Sequence, residues 1–318
     1  VYTTSGASAD VSGGGVRLNM IPKDGGNNFS GRGFAGFQDK SFQSDNLTDE
    51  LKARGLRSAD GIDRLSNFEA SLGGPIKKDR IWFFLSARTF HLDTLPADAF
   101  NADGSPGVDP QSINSAQARI IWQISAKNKL SVYNDRIGKN RGAAMTAGFD
   151  PATASVVWNS PIYTTGSAKI TSTLTNRLLL EGGFSTNYER YNFLYQPGIY
   201  KERGTPEWYT TINKQDIALV TTYNAAVSQQ LQSPDRISLA GSLSYVSGTH
   251  NIKAGIQDSW GNYRRTYLAN GDLRAFFTNG VPTRVDVLNT RWERRDQLHA
   301  DVGIFAQDAW TLHRLTLN

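Results

Sequence analysis

The segment RISLAGSLSYVSGTHNIKAGI, residues 236–256, decides the fold class of this chain. Apolar residues occupy every second position on both sides of the polar triplet Ser247-Gly248-Thr249. In a β-strand, alternation with a period of two places all the apolar side chains on one face of the sheet. The segment therefore predicts a β-hairpin with one apolar face and one polar face.

The same alternation recurs over most of the 318 residues. Further alternating segments lie at residues 117–125, 167–174, 177–185, 251–260 and 298–310. The last of these segments places Leu298 on the same face as Ile304 and Trp310. The one convincing helical spacing, a set of leucines, lies in residues 46–57. The chain is therefore expected to be all-β, with antiparallel strands joined by hairpins.

The connections between the strands alternate between two lengths. Short turns lie at residues 77–79, 126–128, 175–176 and 247–249, and long polar segments lie at residues 38–65, 91–113, 138–163, 192–234 and 264–297. An antiparallel transmembrane β-barrel of the bacterial outer membrane has this pattern, because its periplasmic turns are short and its external loops are long. The pattern predicts about ten spanning strands of typical outer-membrane length. An eleventh strand is expected to start at residues 314–318.

Two more alternating segments fall inside the long connections. Residues 217–227 are expected to form a strand that extends above the membrane, or part of an external loop. Residues 272–289 are expected to form a hairpin with its turn at Asn279-Gly280. Both are assigned to external loops, because a further spanning strand at either place would break the alternation of connection lengths.

Composition excludes several other classes of protein. The longest apolar runs, such as residues 81–85, are far shorter than the roughly 20 residues of a membrane-spanning helix. The absence of cysteine excludes disulfides and thiolate sites. The 34 basic and 29 acidic residues are mixed along the chain, so no nucleic-acid partner is expected. Aromatic residues near strand ends fit the interfacial girdles of a barrel: Trp82, Trp122, Tyr133, Tyr188, Tyr245, Trp260 and Trp310.

Four motifs carry a family resemblance. GGGVRLNMIPKDGGNNFSG, residues 13–31, resembles the junction between plug and barrel in TonB-dependent receptors, with proline at position 22 where threonine is more usual. LGGPIKKDRIWFF at residues 72–84, SGTHNIKAG at residues 247–255 and FAQDAW at residues 305–310 are similar to segments of the Oar-like branch of that family. The motifs are spread from one end of the chain to the other.

The resemblance implies a division of the chain into two parts. Residues 1–26 would be the C-terminal end of a plug domain, and residues 27–318 would be the N-terminal part of a barrel that closes at about 22 strands. The signal peptide, the TonB-contacting segment and most of the plug would lie upstream, and the closing strands would lie downstream. The plug–barrel junction would contain Gly14, Gly15, Lys23, Gly26, Asn27, Phe29 and Gly31.

The function that the resemblance implies is transport, and no enzyme activity is expected. Such receptors bind a solute outside a Gram-negative cell and import it across the outer membrane with energy relayed by the TonB complex. Outer-membrane lipid and lipopolysaccharide would surround the barrel, and no cofactor or metal is expected. The candidate ligand contacts are aromatic residues in long loops, where recognition residues tend to lie: Trp158, Tyr163, Tyr195, Trp208, Tyr209 and Trp292.

Other motifs favour structural interpretations. The G-x-G-x-x-G pattern at residues 31–36 lacks the following helix of a dinucleotide site and is interpreted as strand. The four histidines lack the spacing of a metal site, and no G-x-S-x-G elbow supports a hydrolase. The charged segment RWERRD, residues 291–296, suits either contact with lipopolysaccharide phosphates or another acidic ligand, or a solvated loop with internal ion pairs. The solvated loop is favoured, because exposed ion pairs are common and weak.

Two other functions stay open at this point. The first is a passive porin or an adhesin without a plug, against which the glycine-rich N-terminal strand argues. The second is a secreted, soluble β-rich binding protein. Its apolar faces would pack on each other, and it would stay soluble without detergent.

Overall fold

The computed structural model of the chain describes residues 22–317. Gly14 and Gly15, two of the predicted junction residues, lie outside the described residues, as does most of the segment expected to belong to a plug. The strands are β1 (Ser30–Asp39), β2 (Gly61–Lys77), β3 (Ile81–Leu95), β4 (Asp109–Gln123), β5 (Asn128–Ala144), β6 (Val156–Thr175), β7 (Leu178–Tyr195), β8 (Asn213–Asp216), β9 (Thr221–Tyr223), β10 (Gln229–Ser247), β11 (His250–Leu268), β12 (Leu273–Thr278), β13 (Val281–Val287), β14 (Trp292–Leu298), β15 (Gly303–Leu312) and β16 (Leu315–Leu317). Two short helices are α1 (Asp49–Ala53), inside the predicted helical segment, and α2 (Pro206–Thr210).

Twelve of these strands form one antiparallel sheet, here called the wall. The wall follows the order β1, β2, β3, β4, β5, β6, β7, β10, β11, β15, β16, and β14 pairs with β11 beside β15. Neighbours in sequence are therefore neighbours in space, joined by short turns at one end and long connections at the other. The predicted antiparallel all-β architecture is confirmed.

A separate four-stranded sheet, in the order β13, β12, β8, β9, is built from the two longest connections. The predicted hairpin with its turn at Asn279-Gly280 is confirmed as β12 and β13, and both turn residues have positive φ, 50° and 78°. Residues 217–220 form the turn between β8 and β9, so the loop alternative for this segment is the correct one. We call this four-stranded unit the external sheet.

The wall strands are longer than the alternating patterns suggested. β2 has 17 residues, β6 has 20 and β11 has 19. At about 3.3 Å per residue such strands exceed the apolar band of an outer-membrane barrel, which is about 25 Å tall. The extensions lie at the end with the long connections, because the backbone ladder continues between polar residues that carry no apolar alternation.

The two faces of the wall differ in character. Leu239 and Ile256, which lie on one face, are 47% and 53% exposed although both side chains are large and apolar. We call this the outer face. The opposite, inner face carries polar residues such as Gln117 and Lys169, and residues 22–28 lie against it. An exposed apolar face of this extent, within residues 22–317, argues against packing between two apolar faces of a soluble sandwich.

Two details of the face assignment were predicted wrongly. Leu298 pairs with Gly261 and Gly303 pairs with Gln257, so four residues (299–302) on one strand oppose three on the other. This bulge places Leu298 on the inner face, opposite to Ile304, because one extra residue reverses the alternation. Of the predicted girdle residues, Trp82 and Tyr133 also lie on the inner face, where Tyr133 donates a hydrogen bond to Gln117.

The described residues contain no helix long and apolar enough to cross a membrane. Their small buried apolar cluster lies at the end of the wall near the external sheet, where Tyr195 packs with Ala225 and Ala226. Elsewhere the wall is a single layer of strands.

Candidate functional site

The segment before β1 lies on the inner face of the wall. Arg119 on β4 donates a hydrogen bond from Nη1 to the carbonyl oxygen of Pro22, at 2.9 Å. Its Nε atom lies 2.9 Å from Oδ1 of Asp24. The Arg119 side chain is only 17% exposed, so this cation is largely enclosed by the segment it holds. The chain therefore reaches its first wall strand from the inner side.

Close contact with the wall requires glycine at position 25. A Cβ atom there would lie 2.1 Å from the carbonyl oxygen of Phe83. Gly73 on β2 is equally small, and a Cβ atom on it would lie 3.5 Å from the Cα atom of Gly25. Gly26, by contrast, has open space around its Cβ position. The glycines of this segment thus differ, and Gly25 is the one that permits docking.

Asn27 ties the start of β1 to the turn between β2 and β3. Its Oδ1 atom accepts hydrogen bonds from Trp82 Nε1 at 2.7 Å and from the backbone N–H of Asp79 at 2.9 Å. Its Nδ2 atom donates to Asp79 Oδ1 at 2.5 Å. This network joins the predicted motif around residue 27 with the predicted motif at residues 72–84.

The remaining predicted junction residues are spread around the start of the wall. Phe29 is 68% exposed and its ring lies 6.3 Å from that of Phe83. Gly31 belongs to β1 and pairs with Leu72. Lys23 lines an inner-face depression of 410 Å³ together with charged and polar residues of five wall strands: Arg32, Glu69, Arg88, Gln117 and Asp135. Both charge signs are present here, and Arg88 pairs with Glu69 at 3.2 Å.

Two of the predicted ligand contacts, Trp158 and Tyr163, meet around Lys139. The Lys139 Nζ atom lies 4.3 Å from the centroid of the Tyr163 ring and 6.0 Å from that of Trp158. Glu189 lies 4.0 Å from the same ammonium group and accepts a hydrogen bond from Ser160. The two aromatic residues belong to β6 and not to a loop, which corrects their predicted location. They form a polar and aromatic patch on the upper inner face.

Tyr195 and Trp208 both lie close to residues 270–271, just before β12 of the external sheet, and both are only 5% exposed. The Tyr195 hydroxyl accepts a hydrogen bond from the backbone N–H of Asn270 at 3.1 Å, and burial raises the pKa of this tyrosine. Asn270 also donates to the carbonyl oxygens of Ile199 and Thr211. Tyr195 ends β7 and Trp208 lies in α2, so Tyr195 too is a strand residue. Their burial favours a role in holding the external sheet on the wall.

The last two predicted contacts are more accessible. Tyr209 is 55% exposed and its ring stacks edge-on against Trp208, with the centroids 4.8 Å apart. Trp292 is 43% exposed and opens β14, where it pairs with Tyr267 on the inner face. The six aromatic residues therefore do not form one site. Whether any of them contacts a ligand stays a prediction.

Sequence reasoning missed an inner-face network on β7, β10 and β11. Gln232 accepts hydrogen bonds from the hydroxyl groups of Tyr191, at 2.7 Å, and of Tyr263. Arg265 donates to Gln230 at 2.5 Å. The sequence carried no clear signal for this network, because Gln230, Gln232 and Arg265 lie in segments assigned to long connections. Tyr191 and Tyr263 lie directly beside those segments.

Known proteins resemble this chain in sequence and in fold. No family model matches the chain. It is 30% identical over 110 residues to the TonB-dependent transporter Oar of Myxococcus xanthus, which covers 33% of this chain and 10% of that protein. The crystal structure of the outer membrane transporter YddB from Escherichia coli matches 80% of this chain with a TM-score of 0.53 and 10% identity. This chain is similar to part of a TonB-dependent outer-membrane transporter.

The match to both relatives is partial in length. The TonB-dependent receptor-like chain spans one tenth of the Myxococcus transporter and 33% of the solved Escherichia coli chain. Its wall is similar to part of the barrel of the solved outer-membrane transporter. Both relatives are named as transporters.

Proposed function

We propose that the chain is part of an outer-membrane receptor that binds a solute outside a Gram-negative cell and imports it with energy relayed by TonB. The observation that carries this proposal is the position of residues 22–28 on the inner face, held by Arg119 and fitted by Gly25. A plug inside a barrel would have to join its first strand from this side. Residues 1–26 are accordingly proposed to end a plug domain.

The inner face supplies the chemistry for passing a polar solute. It carries paired charges along its length, such as Lys169 with Glu181 at 2.5 Å, and aromatic rings near the external end. Lys139 with Tyr163 and Trp158 offers cation, ring and hydrogen-bond donors within one patch. The solute class is not specified by these groups. Iron chelates, cobalamin, saccharides and peptides all present polar atoms that such a surface accommodates.

The proposed function is tested by uptake in cells that carry the full-length protein. Radiolabelled ferric citrate, cobalamin, a maltodextrin and a mixed oligopeptide pool are offered to cells with and without the protein, and with and without TonB. The proposal expects at least one solute to enter only when both are present. Uptake that is independent of TonB would indicate a passive porin, and absence of any uptake would favour an adhesin.

The candidate contacts are tested in the same assay. Replacement of Trp158, Trp208 and Trp292 together by alanine should reduce uptake, because it removes the Trp158 and Trp292 rings from the external end of the inner face and the buried Trp208 ring of α2, which helps to hold the external sheet. A matched control replaces three outward tryptophans, Trp122, Trp260 and Trp310, with uptake normalised to the amount of assembled protein. Equal uptake by both triple variants would contradict the assignment of the first set.

A further inference from the structure

The outer face carries arginines just beyond its apolar band. On β11 the outer face runs through Ile252, Ala254 and Ile256 to Trp260, and Arg264 follows four residues later on the same face. Asp258 interrupts the apolar residues of this face, and its carboxylate accepts a hydrogen bond from the backbone N–H of Asp301 at 3.0 Å. At about 3.3 Å per residue, the Cα atom of Arg264 lies roughly 13 Å beyond that of Trp260 along the strand. A tryptophan at a girdle lies at the level of lipid headgroups. Arg264 is therefore placed over the headgroup layer, on the side of the long connections.

A second arginine lies directly beside the first. Arg264 pairs with Arg295 of β14 in the antiparallel register, so their side chains leave the same face of neighbouring strands. Neighbouring strands lie about 4.8 Å apart, and like charges directly opposite each other are destabilising. The side chains are 49% and 73% exposed. An anion close to both guanidinium groups would offset this repulsion.

The carboxylate of Glu293 provides part of this negative charge. Glu293 accepts a hydrogen bond from Arg264 Nη2 at 2.8 Å and from Arg295 Nε at 2.6 Å. Arg291 approaches the same carboxylate at 3.9 Å. Three cations thus surround a single anion, which leaves a local charge of about +2. Each guanidinium has five N–H donors, and Glu293 takes one from Arg264 and one from Arg295.

The surrounding outer face extends the same pattern. By strand register, Arg190 on β7 lies at the same height as Arg264 on β11, with Ser233 of β10 between them. Arg136 on β5 lies slightly nearer the apolar band. Asp235 is the acidic residue at the level of Arg136, and its carboxylate is engaged by the backbone and side chain of Asn262. The cationic excess is therefore a stripe across several strands. It is centred on Arg264 and Arg295.

The structure also changes the interpretation of residues 291–296. The expected internal ion pairs are present, because Arg291 and Arg295 approach Glu293 and Arg294 approaches Asp296. The expected loop is wrong, because residues 292–298 form β14, a wall strand with two distinct faces. Arg294 and Arg265 pair on the inner face, and Arg294 contacts Asp296 at 2.7 Å. Arg295 and Arg264 face outward, where Arg291 approaches the same Glu293 carboxylate. The arginines of one sequence cluster are therefore divided between two environments.

We propose that Arg264 and Arg295, organised by Glu293, bind a phosphate group of lipopolysaccharide in the outer leaflet. Arginine binds phosphate through parallel N–H···O bonds, which gives both strength and geometry. A phosphorylated glycolipid fits the position, because its acyl chains would lie along the exposed apolar band while its phosphates reach the arginines. The inference rests on the proposed outer-membrane placement and adds a lipid site to it.

The test uses the full-length protein in lipid nanodiscs and measures binding of lipopolysaccharide with its phosphates intact. The outer-face variant R264Q/R295Q is compared with R265Q/R294Q, which removes the same two charges from the same strand pair on the opposite face. The outer-face variant should bind at least tenfold more weakly than the wild type, as expected for loss of charge-assisted contacts. The inner-face variant should bind within about twofold of the wild type, because its arginines do not reach the lipid.

Chemical specificity is tested with two further probes. Enzymatically dephosphorylated lipopolysaccharide should bind all variants equally, and phosphatidylglycerol vesicles should not compete. Equal loss of affinity in both double variants, no loss in either, or full competition by phosphatidylglycerol would overturn the proposal. If R264Q/R295Q does not assemble, R264K/R295K serves instead, and it should bind more weakly than the wild type because lysine keeps the charge but loses the planar fork.

Failure of this inference is distinguishable from failure of the proposed function. Heat-modifiable gel migration and detergent partition of the wild-type protein report the membrane placement on which both depend. A wild-type protein that does not partition would overturn both. A wild-type protein that partitions, but whose lipopolysaccharide affinity is unchanged by R264Q/R295Q, would overturn this inference alone.

Discussion

The Nε atom of Arg119 lies 2.9 Å from Oδ1 of Asp24, so a wall strand holds the segment that precedes β1. The same guanidinium donates to the carbonyl oxygen of Pro22. Replacement of Arg119 by glutamine removes both contacts, whereas replacement of Asp24 by asparagine removes only the ion pair. A junction built this way should loosen without loss of the wall, because neither residue bridges two wall strands.

We expect R119Q to lower hydrogen-exchange protection of residues 22–28 more than D24N does. The coupling between the two residues in a double-mutant cycle should be about 1 kcal/mol or less, because Asp24 is half-exposed. Hydrogen exchange followed by mass spectrometry of the full-length protein provides the measurement. R88Q is the matched control, since Arg88 pairs with Glu69 inside the wall. Equal effects of R88Q and R119Q on residues 22–28 would contradict the prediction.

Replacement of Gly25 by alanine should displace the same segment, whereas replacement of Gly26 should not. The new methyl group at position 25 would meet the Phe83 carbonyl oxygen at 2.1 Å, and nothing lies within 4 Å of the corresponding position at 26. Overpacking of this kind costs about 1–3 kcal/mol. Thermal unfolding and proteolytic susceptibility of the segment in the full-length protein are the measurements. Indistinguishable behaviour of G25A and G26A would show that the segment does not dock as described.

The apolar outer face gives a third prediction. Replacement of Leu243 by arginine should destabilise the protein in a bilayer by about 2–4 kcal/mol, the range for a cation near the midplane of a barrel. Leu243 is flanked by Leu180 and Ala254, which offer no partner for the charge. S242R is the control, because Ser242 lies on the inner face opposite Glu181. Urea unfolding in lipid vesicles, followed by heat-modifiable migration, measures both. A larger cost for S242R would reverse the face assignment.

The sequence predicted the parts of the fold that follow from side-chain periodicity. Residues 236–256 show the β10–β11 hairpin directly, because every apolar position faces the same way. The bulge at residues 299–302 was not visible, because an inserted residue reverses the faces without changing the composition. The full lengths of β2 and β6 were missed for a related reason. Backbone pairing continues through polar residues, and only the apolar part of a strand leaves a pattern.

The candidate site was less predictable than the fold. Trp158 and Tyr163 were selected as loop aromatics, yet both are strand residues, and Lys139 between them was not selected at all. Their meeting depends on the irregular pairing of β6 and β7 between Asn159 and Ile162, which no local pattern marks. Trp208 was selected for the same reason and is buried. Loop composition therefore indicated the region, while strand register decided which residues meet.

Asp216 gives the last prediction, a dependence of the external sheet on pH. Its carboxylate accepts hydrogen bonds from the backbone N–H groups of Gly280 at 2.7 Å and of Ala218, Leu219 and Asn279 at 3.1 Å. These bonds, first among them the one from Gly280, hold the pKa of Asp216 below its ordinary value of 3.8. The carboxylate thereby fastens the β8–β9 turn to the β12–β13 turn.

Because the pKa of Asp216 is lowered in the folded state, its ionised carboxylate stabilises the external sheet at every pH above the ordinary pKa of 3.8. This stabilisation should be lost as the pH falls from about 4 through the lower folded-state pKa, because protonation then removes the acceptor charge. In D216N the amide cannot accept all four bonds, so protection of the Asn279 and Gly280 amides should drop by roughly tenfold at neutral pH. The further loss of protection of these two amides between neutral and acidic pH should be smaller in D216N than in the wild type. Hydrogen exchange of the full-length protein between pH 6 and pH 3, corrected for the intrinsic exchange rate, measures both effects. D103N is the control, because Asp103 bonds only within its own turn to Ser105; a D216N profile that matches D103N would refute the fastening role of Asp216.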